Sequence, residues 1–202
     1  TAGTLTRWFR DQLARDVIAQ AKNSNQNAYD ILMNEIGQIP PGSKGLVVLP
    51  YMSGERTPIN DPKARGVFFG LTLNHSRSHL YKACLESVGY GIATHFAGFQ
   101  EMGLETKRII AVGGGTRNPP WLQLVSDICG KPFSIGMAFG AAYGDALLAA
   151  KGIGHYENLD ALRAQIRLES HVSPDPDRHS QYVPYLKIYQ DGKYCTFPHA
   201  IE

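Results

Sequence analysis

The 202-residue sequence is short of several features, and each shortage narrows what the chain can be. It has three cysteines, Cys84, Cys129 and Cys195, an odd number at unrelated spacings. That argues against a disulfide framework and for thiols kept reduced, with the cytoplasm as the expected compartment. Neither sign of charge is in excess: the net charge is +2, with no basic run and no aromatic–basic interleaving, so nucleic acid is not an expected partner. No apolar stretch approaches the ~18 residues of a membrane span, and the N-terminus lacks the charged-then-apolar form of a signal peptide. No membrane partner is expected. Two nucleotide signatures are missing as well: there is no G-x-x-x-x-G-K-[ST] loop, and nothing supplies the third glycine of G-x-G-x-x-G. His75 and His79 have the spacing of a helical metal pair but lack the glutamate of H-E-x-x-H and straddle a cap, so they read as a helix start and no metal site is expected.

What is present centres on residues 108–130, R-I-I-A-V-G-G-G-T-R-N-P-P-W-L-Q-L-V-S-D-I-C-G. Ile109 to Val112 form a short apolar run suited to a buried strand. Gly113, Gly114 and Gly115 follow, where the backbone can turn sharply and a ligand can come close. Asn118 reads as an N-cap with Pro119 at the first helical position; Trp121, Leu124, Val125 and Ile128 share one face, and Gly130 ends the helix. Such a turn aims free N–H groups and a positive helix end at whatever lies above the strand. The same residues also suit a tight turn with no ligand.

Elsewhere, Leu5, Phe9, Leu13 and Val17 predict a first helix to about Ala21, and Tyr29, Leu32, Met33 and Ile36 a second. Strands are expected at 46–49 and 67–71, drawn as an antiparallel pair across an irregular loop, Tyr51 to Pro62, in which Glu55 and Arg56 read as an ion pair pinning the loop. Ser76 caps the longest helix, running to Gln100 with a stripe of Leu80, Cys84, Val88, Ile92, Phe96 and Phe99. Gly89, Gly91 and Gly98 inside it imply close packing against another backbone. A strand at Pro132–Ile135 leads through a turn at Gly136–Phe139 into a small-residue helix from Gly140 to Ala150, which implies close approach to a neighbour. Its one charge, Asp145, reads as exposed or locally hydrogen-bonded. A peripheral helix is expected from Asp160 to Leu168, then a turn at Ser173–Asp177, and Tyr182, Tyr185 and Tyr189 are expected to pack on the body. Strands alternating with helices give an α/β layer fold with a mixed sheet and helices on both faces.

Five segments, in order, resemble the C-terminal domain of FGGY-type carbohydrate kinases, most like xylulose kinases: L-P-Y-M-S-G-E-R-T-P at 49–58, N-D-P-K-A-R-G-V-F-F-G-L-T at 60–72, C-L-E-S-V-G-Y-G at 84–91, the glycine turn and its helix at 112–130, and G-A-A-Y-G-D-A-L-L-A-A at 140–150. They span most of residues 46–152. The resemblance implies a ribonuclease H-like, actin-like ATPase fold and transfer of the ATP γ-phosphoryl group to a sugar or polyol hydroxyl. On that reading, residues 1–202 are one C-terminal nucleotide-binding domain of a longer sugar kinase, with 155–202 a peripheral extension. The resemblance also implies nucleotide contacts at Gly113, Gly114, Gly115 and Asn118, the last with a competing role as helix cap. ATP and Mg²⁺ are the implied cofactors, Mg²⁺ not being held by this chain alone. The resemblance further implies that the catalytic aspartate and the phosphate loop lie upstream of Thr1; none of Asp11, Asp16, Asp61, Asp127 or Asp145 has the context of a base. An N-terminal domain and a second copy are the expected protein partners. The alternatives are a non-catalytic nucleotide-binding or interaction module and an actin- or chaperone-like ATPase; a dinucleotide oxidoreductase fits least.

Overall fold

Apolar spacing starts the chain as two helices where the sequence suggests one. The computed structural model describes residues 2–136, 141–165 and 168–192. Helices α1 (Ala2–Leu13) and α2 (Arg15–Ser24) meet at Ala14, which is fully buried with φ −138°. The break re-aims the apolar face, so that Leu5 and Phe9 on α1 and Val17 and Ala21 on α2 reach one cluster. Helix α3 (Ala28–Glu35) follows, its N-terminus capped by Asn27, whose side chain accepts from the Tyr29 N–H at 2.9 Å.

Strands β1 (Val47–Leu49) and β2 (Val67–Phe69) pair antiparallel, Val48 opposite Phe68, as a sheet of their own. The second sheet is mixed. Strand β3 (Ile110–Ala111) lies parallel to β4 (Phe133–Gly136), joined by α5 (Pro119–Cys129), and β5 (Leu168–Val172) runs antiparallel along β4. The sequence places a helix through Leu168. Instead α7 (Leu159–Arg163), capped by Asn158, is short, and L-E-S-H-V forms an edge strand. Its polar centre carries little strand signal; the hydrogen-bonding edge of β4 decides its conformation.

Helix α4 (Arg77–Glu101) runs through the middle. Its expected stripe is only in part its buried side: Cys84 is buried, but Leu80, Val88, Ile92 and Phe96 are partly buried and Phe99 is exposed, whereas Tyr81, Leu85, Glu86, Gly89, Tyr90, Ala93 and Thr94, outside the stripe, are buried. A helix packed by α1, α5, β1 and α8 has no single apolar face to show. One of its glycines has a packing reason. A Cβ on Gly89 would lie 2.6 Å from Ile128 Cδ1 of α5, whereas one on Gly91 would make an ordinary 3.4 Å contact with the Tyr189 hydroxyl and Gly98 has nothing within 4 Å. His79 serves the helix start, its Nδ1 lying 3.2 Å from the Ser76 N–H and 2.9 Å from Ser76 Oγ.

Helix α6 (Ala141–Gly152) departs from expectation. Ala142, Ala146 and Ala149 are exposed, and Gly144 and Gly152 have nothing within 4 Å, so the close neighbour implied by its small residues is absent among the described residues. Asp145 is exposed. The turn at 137–139, the helix start at Gly140, and Cys195 lie outside the described residues. Helix α8 (Pro176–Gly192), by contrast, is no peripheral cover. Asp175 Oδ1 caps it, accepting from the Asp177 and Arg178 N–H groups at 2.9 and 3.0 Å, and Tyr182 and Tyr189 sink into the core cluster around Tyr90.

A buried carboxylate ties these parts together. Glu86 on α4 is fully buried and accepts from the Gly42 N–H at 3.0 Å and from Ser43 Oγ at 2.8 Å, both in a left-handed turn, with Tyr182 of α8 as a further partner. Gly42 is required there, because φ is +74° and a Cβ would run into the Tyr185 ring. Burial raises the Glu86 pKa to about 7, against the pull of Lys82 and the three donors. The folded chain therefore holds that proton more tightly than the unfolded chain. The stabilisation is complete below the ordinary value of 4.5 and is lost as pH rises through about 7. The melting temperature should fall with pH across that window, and Glu86→Gln, which keeps the shape without the titration, should flatten the fall. Equal slopes for the two proteins would show that Glu86 does not titrate there.

Candidate nucleotide platform

The glycine turn takes its shape from its sequence. After β3, Val112 is 63% exposed, and Gly113 adopts φ 95° and ψ −172°, a conformation that L side chains rarely reach. Gly114–Arg117 forms one 3₁₀ turn, closed by Thr116, whose N–H and Oγ1 both donate to Gly113 O at 3.2 and 2.7 Å. Asn118 then starts α5: its Oδ1 accepts from the Trp121 N–H at 3.2 Å. The four residues named from the sequence thus lie in one turn.

Two details refine what that turn can hold. Pro119 and Pro120 have no N–H, and the Trp121 and Leu122 N–H groups already donate to Asn118 O, at 3.1 Å each. The start of α5 is therefore closed to an anion and adds no free N–H to the cradle expected from the sequence. What the turn offers instead is space and an apolar wall. A Cβ on Gly113 or Gly114 would meet nothing within 4 Å, and a slot of about 280 Å³ beside Gly115 is walled by Val88 and Ile92 of α4, Ile110, Val112, Trp121 and Val125. Trp121 anchors the wall, its Nε1 donating to Leu85 O at 3.3 Å. Such a slot suits a flat, largely apolar group, and the exposed turn above it suits the hydroxyls of a sugar ring.

A second feature lies across Val88 and Ile92. Residues 51–62 form a loop held by paired Glu55–Asp61 backbone bonds of 2.9 and 2.7 Å and by Glu55 Oε1, which accepts from the Thr57 N–H at 2.9 Å. Glu55 pins the loop without Arg56: among the described residues no ion pair joins them, because Glu55 turns to its own backbone while Arg56 stands exposed. The loop overhangs a cavity of about 740 Å³.

The aspartates are occupied or remote. Asp11 pairs with Arg10 at 2.7 Å, and Asp16 with Arg77 at 2.6 Å, which holds its carboxyl below the usual range. Asp61 accepts from the Lys63 N–H. Asp127, buried, takes Arg178 at 2.9 Å, Gln123, and the Asp175 N–H. Sequence reasoning gave no sign that Asp127 and Glu86 are the buried acids holding α8; nothing in local pattern distinguishes them from surface acids.

Fold and turn together mark a carbohydrate kinase domain, and comparison with known proteins agrees. Residues 1–153 match the model of the FGGY family of carbohydrate kinases, C-terminal domain. A gluconokinase of Bacillus subtilis is 33% identical over 93% of this chain, and a xylulose kinase of Escherichia coli 38% identical over 70% of it. The crystal structure of xylulose kinase from Rhodospirillum rubrum superposes with a TM-score of 0.78 at 31% identity over 94% of this chain. Plasmodium falciparum glycerol kinase with ADP superposes at 0.68 and 21% identity over 90%, a likeness of fold. The chain belongs to the FGGY carbohydrate kinase family, as its C-terminal, actin-like ATPase domain. It spans 37% of the length of that gluconokinase and of each of those two structures, and 31% of the E. coli xylulose kinase. Among the described residues no helix is long and apolar enough to cross a membrane.

The capping role of Asn118 is separable from ligand contact. Asn118→Ala should cost about 1 kcal/mol of stability in denaturant unfolding, and Asn118→Asp, which keeps the accepting oxygen, much less. Equal losses would mean that the cap does not act through the side-chain oxygen.

Proposed function

We propose that the full-length protein transfers the γ-phosphoryl group of ATP to a hydroxyl of a sugar or polyol, and that this chain supplies the platform for the adenosine end of the nucleotide. The observation that carries the reading is the turn at 113–118: Gly113 and Gly114 in the open, Gly115 against Trp121, an apolar slot beside them, and a helix start with no N–H left for phosphate. Gly113, Gly114 and Gly115 make room for ribose and base, and the Asn118 amide adds a donor toward a base edge while its oxygen caps α5. Phosphoryl transfer needs charge neutralisation, in-line positioning and a base for the hydroxyl. Among the described residues no group of three or more acidic, histidine or cysteine side chains is placed to hold a metal, and the aspartates have structural partners or stand exposed. We assign Mg²⁺, the phosphates and the catalytic aspartate to the remainder of a full-length kinase, and the exposed small-residue face of α6 to contact with that remainder. ATP binding supplies the transferable group; this chain's residues orient the end remote from it.

Xylulose and gluconate are the acceptors to try first, since relatives carrying those names align over most of this chain. With the full-length enzyme, Gly114→Val should raise the KM for ATP roughly tenfold or more and leave the KM for the sugar unchanged, because its side chain fills ligand space and touches no protein atom. The 202-residue chain alone should release no ADP on addition of sugar. An ATPase rate indifferent to sugar would favour the actin- or chaperone-like reading, and an unchanged KM for ATP would remove the platform.

A further inference from the structure

The cavity beneath the 51–62 loop is unused by the nucleotide platform, yet it is built like a site. Its volume, about 740 Å³, is in the range of small-molecule pockets. Its roof is fixed before any ligand arrives: the Glu55–Asp61 backbone pair and the Glu55–Thr57 bond hold the tip, and Gly54, at φ +80°, lies so close on Pro62 that a Cβ would come within 2.6 Å of it. A loop that rigid loses little on binding.

The polar groups lining the cavity include donors and, with the Glu55 carboxylate among them, accepting oxygens. Arg56, exposed on the roof, has no acidic partner among the described residues. His95, exposed on α4, sits with Nδ1 2.6 Å from Gly91 O; that nitrogen must carry the proton, which leaves Nε2 for a ligand. On the floor, Ser87 is fully buried, its Oγ donating to Cys84 O at 2.8 Å out of a ligand's reach, and Thr94 Oγ1 donates to Tyr90 O at 2.9 Å. The Thr94 proton is spent on its own helix, so Thr94 presents lone pairs that, like the Glu55 carboxylate on the roof, accept from hydroxyls and disfavour an anion. Asn60 and Thr57 at the tip can serve either kind of partner. An unpaired guanidinium at one place and accepting oxygens at another call for a ligand that is anionic at one end and polyhydroxylated along the rest.

We propose that this cavity binds a polyhydroxylated anion, an aldonate or a sugar phosphate, with Arg56 on the anionic end and Thr94 and Glu55 accepting from the hydroxyls. The site shares only Val88 and Ile92 with the lining of the platform slot and can be tested without ATP. The 202-residue chain, isotope-labelled, is titrated with gluconate, xylulose 5-phosphate, neutral xylulose and inorganic phosphate while its amide signals are followed. Gluconate or xylulose 5-phosphate should shift signals at 53–60 and 87–95, with xylulose and phosphate each about tenfold weaker or more. The tighter of the two anions identifies the source. Arg56→Ala, and separately His95→Ala, should weaken that anion about tenfold, while Lys187→Ala, a distant exposed cation, should not. Phosphate binding as tightly would reduce the site to a simple anion contact, and xylulose binding as tightly would remove the anion from the account. The proposal is overturned by either result, by shifts elsewhere, by none at roughly millimolar ligand, or by indifference to both variants.

Discussion

The position of the glycine turn depends on how closely α5 lies on α4. That approach is possible because residue 89 has no side chain: Ile128 occupies the space a Cβ would need. A helical glycine costs about 1 kcal/mol relative to alanine, and the packed interface offsets it. Trp121 then locks α5 from its other end by donating to Leu85 O, and its ring walls the slot beside Gly115. Widening the contact at Gly89 would move Trp121, the slot and the capped start of α5 together.

Helix α4 is the common wall of everything else. One core cluster gathers α1 to α3, β1 and the first half of α4; the other gathers β1, α5, β4 and α8 around Tyr90, and Trp121 touches both. A helix enclosed in this way has to bury polar groups, and it does so with partners. Glu86 is met by Gly42, Ser43 and Tyr182, and the Lys82 ammonium donates to Ile39 O. The Tyr182–Glu86 bond, with the Arg178–Asp127 ion pair, fixes the C-terminal helix α8, which lies beyond the region matched by the family model, to the part that lies within it.

Much of this was legible in the sequence for a physical reason. Strand, glycines, Asn-Pro-Pro cap and apolar helix face at 108–130 are local signals, each set by backbone preferences within a few residues, and the structure keeps them. Signals that depend on distant partners were not legible. The sequence of β5 becomes a strand because β4 has an edge to fill, and the stripe read on α4 is, apart from Cys84, less buried than its other faces because neighbours enclose the helix. The small residues of α6 did imply a neighbour, one not found among the described residues. At the site, the three glycines and Asn118 lie in one turn, but the start of α5 contributes no free N–H groups, because two prolines and a cap remove them. A helix start closed to phosphate beside a slot open to a flat group is the geometry on which the proposed nucleoside platform rests.

The central claim is thus a spatial one, that nucleotide meets this chain at the glycine turn through its base and ribose. Amide signals of the chain titrated with adenosine and, separately, with ADP test it most directly. The account predicts that both ligands shift the same set, residues 113–118 with Val88, Ile92 and Trp121, and that the added phosphates bring no new contacts at the start of α5. Shifts confined to the 53–60 loop, or binding of ADP through its phosphates with none by adenosine, would contradict it.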